Sequence, residues 1–98
     1  MIVGPLDLDL LTGTATRGGR SLELLPRELK LLEYLIRRPG RIVTRSMLLQ
    51  DVWGYNFEPN SNVVDVHIGR LRRKIDGEGE PQLIRNVRGQ GYVVDLPG

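Results

Sequence analysis

The chain has no cysteine, and its 98 residues include one histidine, one tryptophan and one phenylalanine. Without cysteine there is no disulfide framework, no thiolate zinc site and no thiol nucleophile. His67 alone excludes a multi-histidine metal centre, and no cofactor is expected. No apolar run approaches the roughly 18 residues needed to cross a bilayer. The opening MIVGPLDLDLL carries two aspartates and no basic stretch, so it does not read as a secretory signal. A cytoplasmic compartment and no membrane partner are expected. Paired acid/base residues and a phosphate loop are missing too, which argues against an enzyme. The scarcity of aromatics that stack on a sheet face argues against RNA binding.

What remains is an ordinary soluble balance, 40% hydrophobic and 27% charged, suited to one domain with a modest core. The net charge of +2 is too small to identify a partner by itself. Its distribution is more informative. Arg70, Arg72, Arg73 and Lys74 fall within five positions, and Arg85 and Arg88 follow. The acids gather elsewhere, at Asp7, Asp9, Asp76, Glu78 and Glu80. Cations clustered on particular elements are the footprint of a polyanion binder.

Residues 1–24 read as an antiparallel meander of three or four short strands. Leu6, Leu8 and Leu10 alternate with Asp7 and Asp9, and Thr12-Gly13 and Gly18-Gly19 signal turns. Pro26 opens a helix over 26–38, with Leu29, Leu32, Leu35 and Ile36 on its apolar face and Pro39-Gly40 as its stop. Ile42-Val43 can form one short strand. Thr44 caps a second helix over 45–53. After a loop at 54–60, Asn60 or Ser61 caps a third helix over 61–75. Two strand-like runs at 83–95 flank Arg88-Gly89-Gln90-Gly91, a hairpin turn. This α+β order predicts a winged helix-turn-helix, with the terminal hairpin as the wing.

At about 100° per residue, Val64, Ile68, Leu71 and Ile75 share one stripe of the third helix, its core face. Asn62, Val66, Gly69, Arg70 and Arg73 occupy the opposite face. A valine in the middle of a solvent face and a glycine inside a helix, which costs roughly 1 kcal/mol relative to alanine, are both unusual. They make sense in a major groove. Valine packs on thymine methyls, glycine permits close approach, Arg70 reaches guanine, and Asp65 accepts from cytosine. Arg72, Arg73 and Lys74 suit phosphate. The alternative is a solvated basic face with Asp65 as a first-turn acid that favours the helix dipole. Thr44 and Arg45, at the start of the second helix, also suit a phosphate, although Thr44 is equally a simple cap.

The stretches NSNVVDVHIGRLRRKID and IRNVRGQGYVVD resemble the C-terminal effector domain of OmpR/PhoB-type response regulators. The likeness extends over LPRELKLLEYLIRRPGRIVTRSMLLQDVWGY and, more loosely, over the strands before it. It implies a four-stranded N-terminal sheet, three helices and a C-terminal wing, with the third helix in the major groove and a wing arginine in the minor groove. Carried over by position, Asp65, Val66, Arg70 and Arg88 face bases. His67, Arg72, Trp53 and Tyr92 face phosphate, though Trp53 and Tyr92 also suit core packing. Asn62 stands at a phosphate-facing position where some members carry a basic residue. Gly54, Tyr55, Asn56, Phe57, Glu58, Pro59 and Asn60 correspond to a segment that contacts RNA polymerase.

The resemblance implies sequence-specific binding of double-stranded DNA, as a dimer on direct-repeat half-sites. It also implies a receiver domain, answering to a histidine kinase, ahead of this region. Nothing in 98 residues supplies a receiver, so a fragment of a longer regulator is expected. Two departures stand out besides Asn62. Leu25 replaces the usual capping threonine of the first helix, a loss of about 0.5–2 kcal/mol. Asn86 replaces a common wing threonine. A protein-interaction winged helix is the competing reading, and it fits poorly because Arg70, Arg72, Arg73, Lys74 and Arg88 are all retained.

Overall fold

A computed structural model describes residues 1–55 and 62–96. The chain opens with β1 (Ile2–Val3), β2 (Leu6–Asp9), β3 (Thr14–Arg17) and β4 (Arg20–Leu22), an antiparallel sheet in sequential order. Helices α1 (Pro26–Ile36), α2 (Arg45–Asp51) and α3 (Val63–Ile75) follow, and β5 (Ile84–Val87) and β6 (Gly91–Val94) form the terminal hairpin. The architecture is α+β, a winged helix-turn-helix.

The period-two pattern of β2 buries Leu6 and Leu8 against the helices, as expected. Leu10 does not continue it and is largely exposed. The Asp9 carboxylate accepts from the N–H groups of Leu11 (3.0 Å) and Thr12 (3.2 Å), turning the chain before Leu10 can pair.

Helix α1 starts at Pro26 without a side-chain cap from Leu25. The loss is partly offset, because Glu28 reaches back and accepts from the Leu25 N–H at 2.8 Å. That is half of a reciprocal capping box. The buried face is Leu31, Leu32, Leu35 and Ile36, while Leu29 is only half-buried. The helix ends at Ile36, two residues before the expected end, with Arg37 as C-cap. Helix α2 likewise ends at Asp51. The Val52 carbonyl is taken by the Arg27 guanidinium, and the Trp53 and Tyr55 N–H groups turn back to Leu48 and Leu49. Helix α3 begins at Val63 with Asn62 as N-cap, whose side chain makes no cap bond. The expected caps Asn60 and Ser61 lie outside the described residues.

Glu28 is buried and receives the Lys74 ammonium at 2.6 Å, joining α1 to α3. Burial alone pushes this carboxyl up, but Lys74 and the Leu25 N–H outweigh it and hold it below its ordinary 4.5. A depressed carboxyl contributes stability that is complete above its unfolded value and lost as pH falls through the folded one. Thermal stability should therefore decline between about pH 5 and pH 3. We predict a smaller decline for Glu28→Gln, measured by thermal unfolding against pH. Equal slopes for the two proteins would remove Glu28 as the cause.

The wing is not an isolated hairpin. Val43, in the α1–α2 connector, exchanges backbone hydrogen bonds with Tyr92 at 2.8 and 2.9 Å, which fulfils the short strand expected at Ile42-Val43. The connector thus acts as a third strand and fixes the wing to the start of α2. Leu83 precedes β5 rather than belonging to it, because its N–H is taken by the Asp76 carboxylate at 2.9 Å.

Candidate nucleic-acid interface

Helix α3 sorts its side chains as its spacing predicts. Val64, Ile68, Leu71 and Ile75 are buried, and Val66, Arg70 and Arg73 are exposed. Arg70, Arg72, Arg73 and the wing-turn residue Arg88 have no acidic partner among the described residues. Val66 keeps 37% of its surface in solvent. A Cβ at Gly69 would meet nothing nearer than Arg73 Nη2 at 3.9 Å, so no packing within the chain requires glycine there. An open cleft of about 530 Å³ lies between this helix and the base of the wing, lined by Gly69, Arg72, Arg73, Asp76 and Gln82. Two adjacent arginines of α3 beside an open cleft can hold a polyanionic backbone.

His67 and Trp53, both expected at phosphate, lie side by side. Their rings meet edge to face, with centroids 5.2 Å apart, and Arg27 lies 5.4 Å over the indole. His67 Nδ1 faces the Val63 carbonyl at 2.8 Å, so that nitrogen carries a proton, since a carbonyl can only accept. Thr44 caps α2, accepting from the Met47 N–H at 3.1 Å. Asn62 is exposed beside the start of α3. Gly54 and Tyr55 are exposed, and the remainder of the loop, Asn56, Phe57, Glu58, Pro59 and Asn60, lies outside the described residues.

Four residues expected at DNA, Lys74, Tyr92, Asp65 and Arg45, have partners within the fold. Lys74 donates to Glu28 and to the Glu23 carbonyl (2.9 Å). Tyr92 is buried and donates its hydroxyl to Asp65. Asp65 also receives Arg45, from Nε at 3.0 Å and Nη2 at 2.9 Å. Burial opposes the charge on Asp65, but Arg45 and Tyr92 outweigh it and lower its carboxyl below the ordinary value. Burial and that carboxylate together push the Tyr92 phenol up to about 12.

One feature that frames the site is not visible in the motifs. Arg17 is buried on the inner face of β3. It donates to the carbonyls of Ile75 (2.8 Å) and Pro81 (2.7 Å) and to the Asp76 carboxylate (3.0 Å). Arg20 adds bonds to the Lys74 (3.1 Å) and Ile75 (2.9 Å) carbonyls and an ion pair with Glu80. These carbonyls end α3 and have no partner within the helix. The signal was an arginine two residues after Ala15, on the face that alternation marks as buried.

Residues 19–94 match the family described as transcriptional regulatory protein, C terminal. The chain is 48% identical over 94 residues to the response regulator MprA of Mycolicibacterium vanbaalenii, covering 96% of this chain and 41% of that protein. It thus spans 40–41% of the length of such curated relatives. It is similar to the DNA-binding domain of CpxR from E. coli, with a TM-score of 0.84 and 32% identity, covering 100% of this chain and 97% of that one. It is also similar to the Klebsiella pneumoniae RstA DNA-binding domain in complex with the RstA box, with a TM-score of 0.84 and 30% identity, covering 97% and 95%.

Proposed function

Since this chain belongs to the family of transcriptional regulatory protein C-terminal domains, we propose that it binds double-stranded DNA sequence-specifically, as the effector domain of a two-component response regulator. Helix α3 lies in the major groove, where Val66 and Arg70 face bases, and Arg88 enters the adjacent minor groove. Arg45, Trp53, His67, Arg72 and Arg73 contact phosphate, and Thr44 and Asn62 lie beside it. The observation that carries this reading is the exposed stripe of α3. It combines a solvent-facing valine, a glycine with no packing role and arginines with no acidic partner among the described residues.

In the full protein a receiver domain, addressed by a histidine kinase, would control pairing on direct-repeat half-sites. The segment beginning at Gly54-Tyr55 would meet RNA polymerase. Among the described residues no helix is long and apolar enough to cross a membrane, and a cytoplasmic location fits a DNA ligand.

Selection from a random double-stranded DNA library at two salt concentrations tests the reading. The expected result is a short enriched motif and a steep loss of affinity with salt. No binding at low salt would instead favour a protein-interaction domain. Arg70→Ala should cost roughly 1–3 kcal/mol and relax the preference at one base pair. Arg72→Ala should weaken all sequences alike and flatten the salt dependence. Identical behaviour of the two would refute the division between base and phosphate contacts.

Gly69→Ala separates folding from binding. Alanine fits the open space and should stabilise the free domain by about 1 kcal/mol. Crowding the groove should weaken DNA binding about tenfold, the equivalent of one overpacked methyl. Unchanged affinity, measured by titration of the selected motif, would show that the helix does not approach DNA at this point.

A further inference from the structure

We propose that Asp65 is a positioning residue that braces the DNA-binding surface, and not a reader of bases. The proposal rests on the DNA-binding reading above. Asp65 stands in the first turn of α3, Arg45 is the first residue of α2, and Tyr92 is the second residue of β6. One carboxylate joins all three elements.

The donors that hold the carboxylate carry the argument. Asp65 Oδ1 receives Arg45 Nη2 (2.9 Å) and the Tyr92 hydroxyl, and the Arg45 Nε proton is shared between Oδ1 (3.0 Å) and Oδ2 (3.1 Å). Three protons thus occupy about four acceptor sites and fix the carboxylate's orientation. To read cytosine, Asp65 must turn an oxygen toward the amino group. Turning toward a base would release the Arg45 guanidinium and leave the hydroxyl of a buried tyrosine without its acceptor.

The same count applies to Tyr92. A phenol has one proton, and this one is donated to Asp65. It has none left for a phosphate oxygen, which can only accept. Tyr92 is therefore the wing's half of the brace. Arg45 is the outward half. Its side chain is 45% exposed, so the brace holds a cationic fork at the edge of the α3 face. Asp65 acts on DNA through Arg45, by aiming it.

The test sets this role against base reading and against bulk electrostatics. Asp65→Asn, Tyr92→Phe, Arg45→Met and the Asp65→Asn/Arg45→Met double variant are each put through the library selection and salt titration. Removing a negative charge near DNA strengthens binding on electrostatics alone. The brace predicts the opposite. Asp65→Asn should weaken every sequence on the order of tenfold, about one charged hydrogen bond. It should leave the selected motif unchanged and make the salt slope shallower by roughly one, as Arg45→Met does.

The double variant should be no worse than Arg45→Met alone. A purely structural defect would lower the folded fraction without altering the salt slope. Tyr92→Phe removes one hydroxyl with little change of shape, so it reports on the brace even if Asp65→Asn folds poorly. It should weaken binding in the same uniform manner, by a smaller factor. A motif altered at one base pair in Asp65→Asn, tighter binding, or additive losses in the double variant would each overturn the proposal. If the wild type itself enriches no motif, the DNA reading fails and this role fails with it. That outcome is distinct, because it appears in the unsubstituted protein.

Discussion

Arg17→Met is predicted to destabilise the domain by about 3–5 kcal/mol, the usual consequence of removing one partner of a buried ion pair. Arg17 is 4% exposed and supplies donors to two carbonyls and the Asp76 carboxylate. Methionine fills much of the volume but leaves those acceptors without it. Asp76 itself holds the Leu83 N–H at the base of the wing, so the damage should reach both α3 and β5. For a domain of this size each kcal/mol shifts the melting temperature by roughly 4–8 °C, so a fall of about 12–40 °C is expected. Arg17→Lys should recover only part, since one ammonium cannot span the fork of a guanidinium. Thermal unfolding of the three proteins decides the matter. A Met variant that melts within a few degrees of the wild type would show that Arg20 alone can close the end of α3.

Gly91→Ala should be nearly as severe, and for a different reason. Gly91 has φ of 149°, and a Cβ there would lie 2.1 Å from the Val43 carbonyl oxygen and 2.8 Å from its carbon. Both atoms are backbone, and Val43 is already bonded to Tyr92 through its N–H and its C=O. Relief requires separating the wing from the α1–α2 connector. Overpacking of about 1–3 kcal/mol plus two backbone bonds of about 1 kcal/mol each gives a loss of roughly 3–5 kcal/mol. The displaced wing also carries Arg88, so DNA affinity should fall even at temperatures where the variant remains folded. Calorimetry and a binding titration at low temperature would separate the two effects. Normal melting together with normal affinity would mean that the close approach at Val43 can relax without harm.

Local pattern was a good guide wherever one element determines its own packing. The stripe of α3, the Thr44 cap, the hairpin turn and the alternation at Leu6 and Leu8 all follow from periodicity and capping chemistry. Element ends were less legible, because they are set by long-range partners. Arg27 takes the Val52 carbonyl and Asp76 takes the Leu83 N–H. Leu29 and Leu31 exchanged roles because a single helix offers two plausible apolar stripes, and only the packed neighbours choose between them.

The sequence by itself determined the cationic helix face on which the proposed DNA contact rests. A cationic, valine- and glycine-bearing helix face is a local property, readable at about 100° per residue. Tertiary structure alone decided which charged and polar groups remain available on that face. Lys74, Asp65 and Tyr92 sit near the cationic segment or its wing, yet Glu28, Arg45 and one another engage them within the fold. Their partners lie 46, 20 and 27 residues away. The physical reason is that a side chain's capacity for hydrogen bonds is finite, and periodicity carries no record of which distant group occupies it.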